Sequence, residues 1–127
     1  MRYLLDTHAI IWYFEDSQEL PDRIFEIIDN DGISVYISSV SLWEIALKIN
    51  LGKLDMQLPL YELLNHIKKS DFTILQIEDE YLNGLATLPT IHKDPFDRMI
   101  ISSAIANNLT IITVDDNIHK YNVPWVW

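Results

Sequence analysis

Cysteine is absent from the 127 residues, which removes disulfides, thiolate nucleophiles and zinc sites built on sulfur, and accords with a reducing cytosol. Glycine is nearly absent as well. Three glycines supply no glycine-rich phosphate loop, and with 49% hydrophobic residues they point to a packed core rather than disorder. No internal repeat, low-complexity tract or proline-rich segment divides the chain, so residues 1–127 are expected to form a single domain. The N-terminal apolar stretch is short and broken by Asp6, His8 and Glu15. That is unlike a signal peptide or a bilayer span, so a cytoplasmic protein with no membrane partner is expected.

Positive charge is also scarce. Nine lysines and arginines against 19 acids leave a net charge of -10, which excludes a nucleic-acid binder that grips phosphates with a broad basic face. A polyanion can still be held where divalent cations bridge carboxylates to phosphates. An acidic surface also suits a basic partner.

What is present is an alternation of strand and helix patterns. Tyr3-Leu4-Leu5 reads as a strand and His8 to Phe14 as a helix. A helix opens at Leu20-Pro21 and closes near Asn30-Asp31-Gly32, and Ile33 to Ile37 alternates as a strand. Leu42 to Ile49 reads as a helix apolar on nearly all sides, hence buried, and Leu60 to Lys69 as another with one apolar face. Strand Phe72 to Ile77, helix Asp79 to Ala86, a helix over about 95–107 and strand Thr110 to Val114 follow. Val123 to Trp127 adds a short strand that Pro124 confines to an edge. Such alternation predicts an α/β fold of three layers, α/β/α, around a mostly parallel sheet of four to five strands joined by right-handed crossovers.

In a sheet of this kind the carboxyl ends of the strands share one rim, where ligands bind. Asp6 and Asp115 are expected to end strands. Glu44 and Asp97 are expected on the first turns of helices. Each has an ordinary structural alternative: Asp6 and Asp115 as helix caps or turn residues, Glu44 in a capping box with Ser41 or an i, i+4 pair with Lys48, and Asp94 and Asp97 as cap and first-turn acids before Pro95. Capping, however, does not require four acids on one side of a molecule. Clustered carboxylates repel unless cations join them, and Mg²⁺ or Mn²⁺ prefers hard oxygen ligands. A carboxylate-only site points to metal-assisted hydrolysis of a phosphodiester, in which two ions about 4 Å apart activate water and neutralise the leaving oxygen.

Four segments carry a resemblance that runs nearly end to end: Leu4-Leu5-Asp6-Thr7-His8; Ser41-Leu42-Trp43-Glu44-Ile45-Ala46-Leu47-Lys48 with Gly52-Lys53-Leu54; His92-Lys93-Asp94-Pro95-Phe96-Asp97-Arg98; and Ile112-Thr113-Val114-Asp115. Together they resemble a PIN-domain ribonuclease of the VapC toxin type. That resemblance implies a Mg²⁺- or Mn²⁺-dependent endoribonuclease acting on RNA, with catalytic, metal-holding acids at Asp6, Glu44, Asp97 and Asp115. It also implies a homodimer, and a cognate antitoxin that inserts a basic segment into the acidic site. Asp94 and Asp116 remain possible additional ligands, with Thr7 and Ser39 available to orient carboxylates or waters. Arg98, Lys48 and Lys53 could contact phosphates and stay outside the core set. Two other classes compete: a non-catalytic PIN-like module that binds RNA or protein, which would fit better had an acid been lost, and a phospho-acceptor or phosphatase α/β domain. The latter requires an acidic pair or an Asp-x-Asp nucleophile after the first strand, whereas Asp6 precedes Thr7-His8.

Overall fold

A computed structural model describes residues 1–127. Five strands, β1 (Arg2–Leu5), β2 (Ser34–Ser38), β3 (Thr73–Leu75), β4 (Thr110–Ile112) and β5 (Trp125–Val126), form one sheet in the order β3-β2-β1-β4-β5. Every adjacent pair is parallel, so the expected mostly parallel sheet is wholly so. Central strand β1 pairs Leu5 with Ile37 on one side and with Ile112 on the other. β5 is an edge strand, as Pro124 requires, and both edges are short, which limits pairing with other chains.

Seven helices complete the chain: α1 (Thr7–Phe14), α2 (Asp22–Ile28), α3 (Ser39–Asn50), α4 (Leu60–Lys69), α5 (Asp79–Thr87), α6 (Pro95–Asn107) and α7 (Asp116–His119). Alternation along the central strands feeds two cores. Tyr3, Leu5 and Ile112 pack with Ile10, Ile24, Ile45 and Ile67 of α1 to α4, while Leu4 and Ile111 pack with Ile100, Ile101 and Ala104 of α6. Helices therefore cover both faces, giving the three layers that parallel strands need.

Strand order reverses beside β1. From there the chain winds outward through β2 and β3 on one side, and through β4 and β5 on the other. The carboxyl ends of β1 and β4 thus flank a topological switch point, where adjoining loops diverge and leave a crevice.

α6 has its expected bounds. The Asp94 carboxylate accepts from the Asp97 N–H at 2.9 Å, Pro95 occupies the first turn, and Asn108 ends the helix in a left-handed conformation with φ 54°. α3 departs from expectation twice. It begins at Ser39, with Ser38 as its cap accepting from the Val40 N–H at 3.1 Å, so the capping box between Ser41 and Glu44 does not form and Glu44 lies beyond the first turn. Nor is it buried all round: Trp43, Leu47 and Leu51, spaced four apart, form an exposed apolar stripe. β4 stops at Ile112 rather than Val114, and the short α7 follows, with Asp115 as its cap.

Candidate active site

Asp6 follows β1 directly. Its N–H extends the ladder by donating to the Ile112 carbonyl at 3.1 Å, and its carboxylate caps α1 by accepting from the Ala9 N–H at 2.8 Å. The capping role proposed as an alternative is therefore real. Even so the carboxylate is buried, and burial raises its pKa above the ordinary value, opposed by a hydrogen bond from Thr113 and reinforced by the nearby charge of Asp115. Thr113, itself fully buried, lies beside two acids: its Oγ1 accepts from the Asp115 N–H at 3.0 Å, and its hydroxyl counters part of the effect of burial on the pKa of Asp6.

Glu44 is buried on α3, where an unpartnered carboxylate would be costly. Thr7 Oγ1 donates to its Oε1 at 2.6 Å and Lys48 Nζ to its Oε2 at 2.5 Å. Ser41 Oγ lies 3.1 Å from the Thr7 hydroxyl and completes the bridge between α1 and α3. The Lys48 ammonium is held above its usual pKa chiefly by the hydrogen bond to Glu44, with Asp94 and Asp97 adding to the effect. One cation of the chain therefore faces three of the acids.

Asp97, on the first turn of α6, is half-buried with Oδ2 3.1 Å from His92 Nε2. Its pKa is pushed up to about 7, first by burial and then by the negative charges of Asp94, Asp115 and Glu44, with the His92 contact working in the opposite direction. These mutual effects bring Asp6, Glu44, Asp97, Asp115 and the cap Asp94 into one electrostatic cluster at the switch point. Asp116 does not join it. Its side chain is 98% exposed and faces His119 at 3.9 Å. Ser39 forms no side-chain hydrogen bond to the acids, and the serines that matter are Ser38 as cap and Ser41 beside Thr7. Arg98 is not free to meet a phosphate, because it donates to the Leu88, Pro89 and His92 carbonyls and to Tyr121.

The family profile of the PIN domain matches residues 3–124. The chain belongs to the PIN domain family. This PIN domain is similar to Ribonuclease VapC22 of Mycobacterium tuberculosis, 21% identical over 121 residues that span 95% of this chain and 92% of that protein. Its fold is similar to that in the crystal structure of VapBC2 from Rickettsia felis bound to a promoter DNA fragment, with a TM-score of 0.75 at 21% identity, covering 100% of this chain and 99% of that one. FitAcB from Neisseria gonorrhoeae gives a TM-score of 0.69 at 19% identity, covering 98% of this chain and 96% of that one.

The donor chemistry of this PIN domain fits a hard divalent cation. All four acids offer oxygen, none is matched by cysteine, and Lys48 is the one cation set among them; burial first, and then the neighbouring carboxylates, raise the pKa of Asp97. They do not form a closed cage, since no three acidic or histidine side chains converge to ligand spacing. Internal donors explain the gap: Thr7 and Lys48 occupy both oxygens of Glu44, while His92 and the Asn117 N–H each hold an oxygen of Asp97 and Asp115. None of the surface pockets is lined by these acids. An open rim of this kind suits a polymer better than an enclosed small molecule.

Sequence reasoning placed Thr113, Ser41 and His92 in the motifs without giving them these site contacts, and it missed Tyr121. Thr113 had a usable signal, because a hydroxyl two residues before an acid after a strand can turn back onto that acid's N–H. The contact between His92 and Tyr121 had none, since it joins the segment before α6 to the one after α7.

Proposed function

We propose that this chain is a metal-dependent endoribonuclease, the toxin of a type II toxin-antitoxin pair. The observation that carries the reading is the gathering of Asp6, Glu44, Asp97 and Asp115 at the switch point of a parallel sheet, with more negative charge than Lys48 offsets. Further support comes from the VapC22 name of one relative and the VapBC2 title of a structural neighbour.

In this reading the four acids hold Mg²⁺ or Mn²⁺, which when bound supplies Lewis acidity toward the phosphodiester and an acidified water. The chain's own residues do the positioning. Thr113 fixes the backbone at Asp115, the Ala9 N–H fixes Asp6, Thr7 fixes Glu44 between α1 and α3, and the α6 cap at Asp94 sets where Asp97 stands. Lys48 holds the second oxygen of Glu44 and so fixes the direction in which that side chain faces the rim. With a net charge of -10, the protein binds a basic segment of its antitoxin at this acidic rim, which closes the site to RNA. The exposed stripe of Trp43, Leu47 and Leu51 supports a homodimer formed through α3.

The test is cleavage of a mixed cellular RNA pool by purified protein with Mn²⁺ or Mg²⁺, with EDTA, and with Asp6→Asn and Asp97→Asn. Asparagine preserves the cap at Asp6, and α6 is capped by Asp94 rather than Asp97, so folded but inactive variants are the expected result. Cleavage that survives EDTA, or that the variants retain in full, overturns the reading. A folded wild-type chain that binds RNA without cutting it moves the binding-module class to first place.

A further inference from the structure

His92 lies between two fixed groups. Its Nε2 is 3.1 Å from Asp97 Oδ2, and its Nδ1 is 2.7 Å from the hydroxyl of Tyr121. Tyr121 is buried, and its oxygen receives two other donors: Arg98 Nη1 at 3.0 Å and the His92 backbone N–H at 3.2 Å. A phenol has one proton to give and limited acceptor capacity. With both incoming donors accepted, the O–H turns to the near acceptor, Nδ1, rather than to the His92 carbonyl at 3.5 Å. Nδ1 is then the accepting nitrogen of the ring. The ring proton is on Nε2, aimed at Asp97.

Arg98 supplies the foundation. Besides Tyr121, its guanidinium ties down the loop before α6 through the carbonyls of Leu88, Pro89 and His92. The order of donation is Arg98 to Tyr121, Tyr121 to His92, His92 to Asp97, and each link fixes the direction of the next. The chain ends on one oxygen of Asp97, which leaves the other for the rim.

We propose that Arg98, Tyr121 and His92 are positioning residues that fix the Asp97 carboxylate by a proton held on His92 Nε2. The role in cation binding rests on the nuclease reading above, whereas the proton arrangement does not. Outer partners of this kind commonly alter metal affinity by about 10- to 100-fold.

Two measurements on the full chain test it. Long-range ¹⁵N–¹H correlation spectra of the metal-free protein report which nitrogen of His92 carries hydrogen, with the His92 signals assigned by their loss in His92→Gln. The Nε2–H tautomer is expected in the wild type, and a mixture in Tyr121→Phe. Calorimetric titration with Mn²⁺ then compares His92→Leu with His92→Gln, whose amide N–H can stand where Nε2–H stood. About tenfold weaker binding is expected for the leucine variant and a loss of less than threefold for glutamine. A folded Tyr121→Phe protein that retains the pure Nε2–H tautomer overturns the Tyr121 link, and an Nδ1–H tautomer in the wild type overturns the whole arrangement. Unchanged Mn²⁺ affinity in folded His92→Leu overturns the positioning role. A wild type that takes up no Mn²⁺ defeats the metal-dependent reading instead, and the tautomer alone then decides the arrangement.

Discussion

Thr7 donates its hydroxyl proton to Glu44 across 2.6 Å, and by this bond the first helix after the central strand holds a buried carboxylate of the third helix. Both residues are almost wholly removed from water. A hydrogen bond to a charged group contributes about 1.5–3 kcal/mol. Thr7→Val keeps the shape and removes the donor, so it should lower unfolding free energy by about that amount. Urea titration at neutral pH, with the slope of the transition unchanged, is the measurement.

Stability of the metal-free protein should fall as pH rises from about 4 to 7. Asp97 carries the sign: its folded pKa is raised by burial and neighbouring acids to about 7 from 3.8. The folded state therefore binds a proton more firmly than the unfolded state across that interval, and its contribution is full below pH 3.8 and lost through pH 7. Asp6, raised by burial, adds in the same direction. Thermal melts should show the decline in EDTA, a weaker decline in Asp97→Asn, and its reversal by millimolar Mn²⁺, since a ligand that binds only the folded state stabilises by mass action.

Lys48→Met should make the protein more dependent on added cations. The substitution keeps the stem and removes the ammonium that faces Glu44, Asp94 and Asp97. A lower metal-free melting temperature and a larger rise on adding Mn²⁺ are expected than in the wild type. Equal rises in both proteins would mean that Lys48 and a cation do not relieve the same charge.

Gly84 and Ser102 meet where α5 crosses α6. A Cβ built at Gly84 would stand 2.7 Å from Ser102 Oγ, whose hydroxyl donates to the Tyr81 carbonyl at 2.6 Å. Gly84→Ala should therefore cost about 1–3 kcal/mol in spite of the helix preference for alanine. In a Ser102→Ala background most of that cost should vanish, and a double-mutant cycle by urea unfolding reads the difference.

Leu47→Asp places a charge in the middle of the exposed stripe on α3. If a second copy covers that stripe, light scattering should change from a dimer mass to a monomer mass, while circular dichroism stays the same. A wild type that is already monomeric at micromolar concentration removes the dimer from the proposal.

Much of this arrangement was legible in the sequence because caps and strand ends are local. Asp94-Pro95 and Asn107-Asn108 set the bounds of α6, and Leu5-Asp6 placed an acid at a sheet rim before any neighbour was known. The start of α3 was not legible, because Ser38, Ser39 and Ser41 can all cap and the choice falls where β2 stops pairing. Its apolar circumference was misread as burial, since sequence cannot distinguish a residue facing a core from one facing a partner. α7 has four residues, fewer than a periodic signal needs, so Asp115 read first as the end of a strand, with the cap it forms only as the alternative. Contacts such as His92 with Tyr121 depend on segments that only the finished packing brings together.

Pairing of Leu5 with Ile112 also dictates an order of events during synthesis. Asp6 is made long before the strand beside it and the acid that Thr113 holds, which are added only after most of this domain has been synthesised. Contacts so distant in sequence form late and slowly. A growing polypeptide, still surrounded by the RNA of the machine that makes it, therefore carries only part of the acidic cluster. Whatever chemistry that cluster performs begins after translation has passed the closing strands.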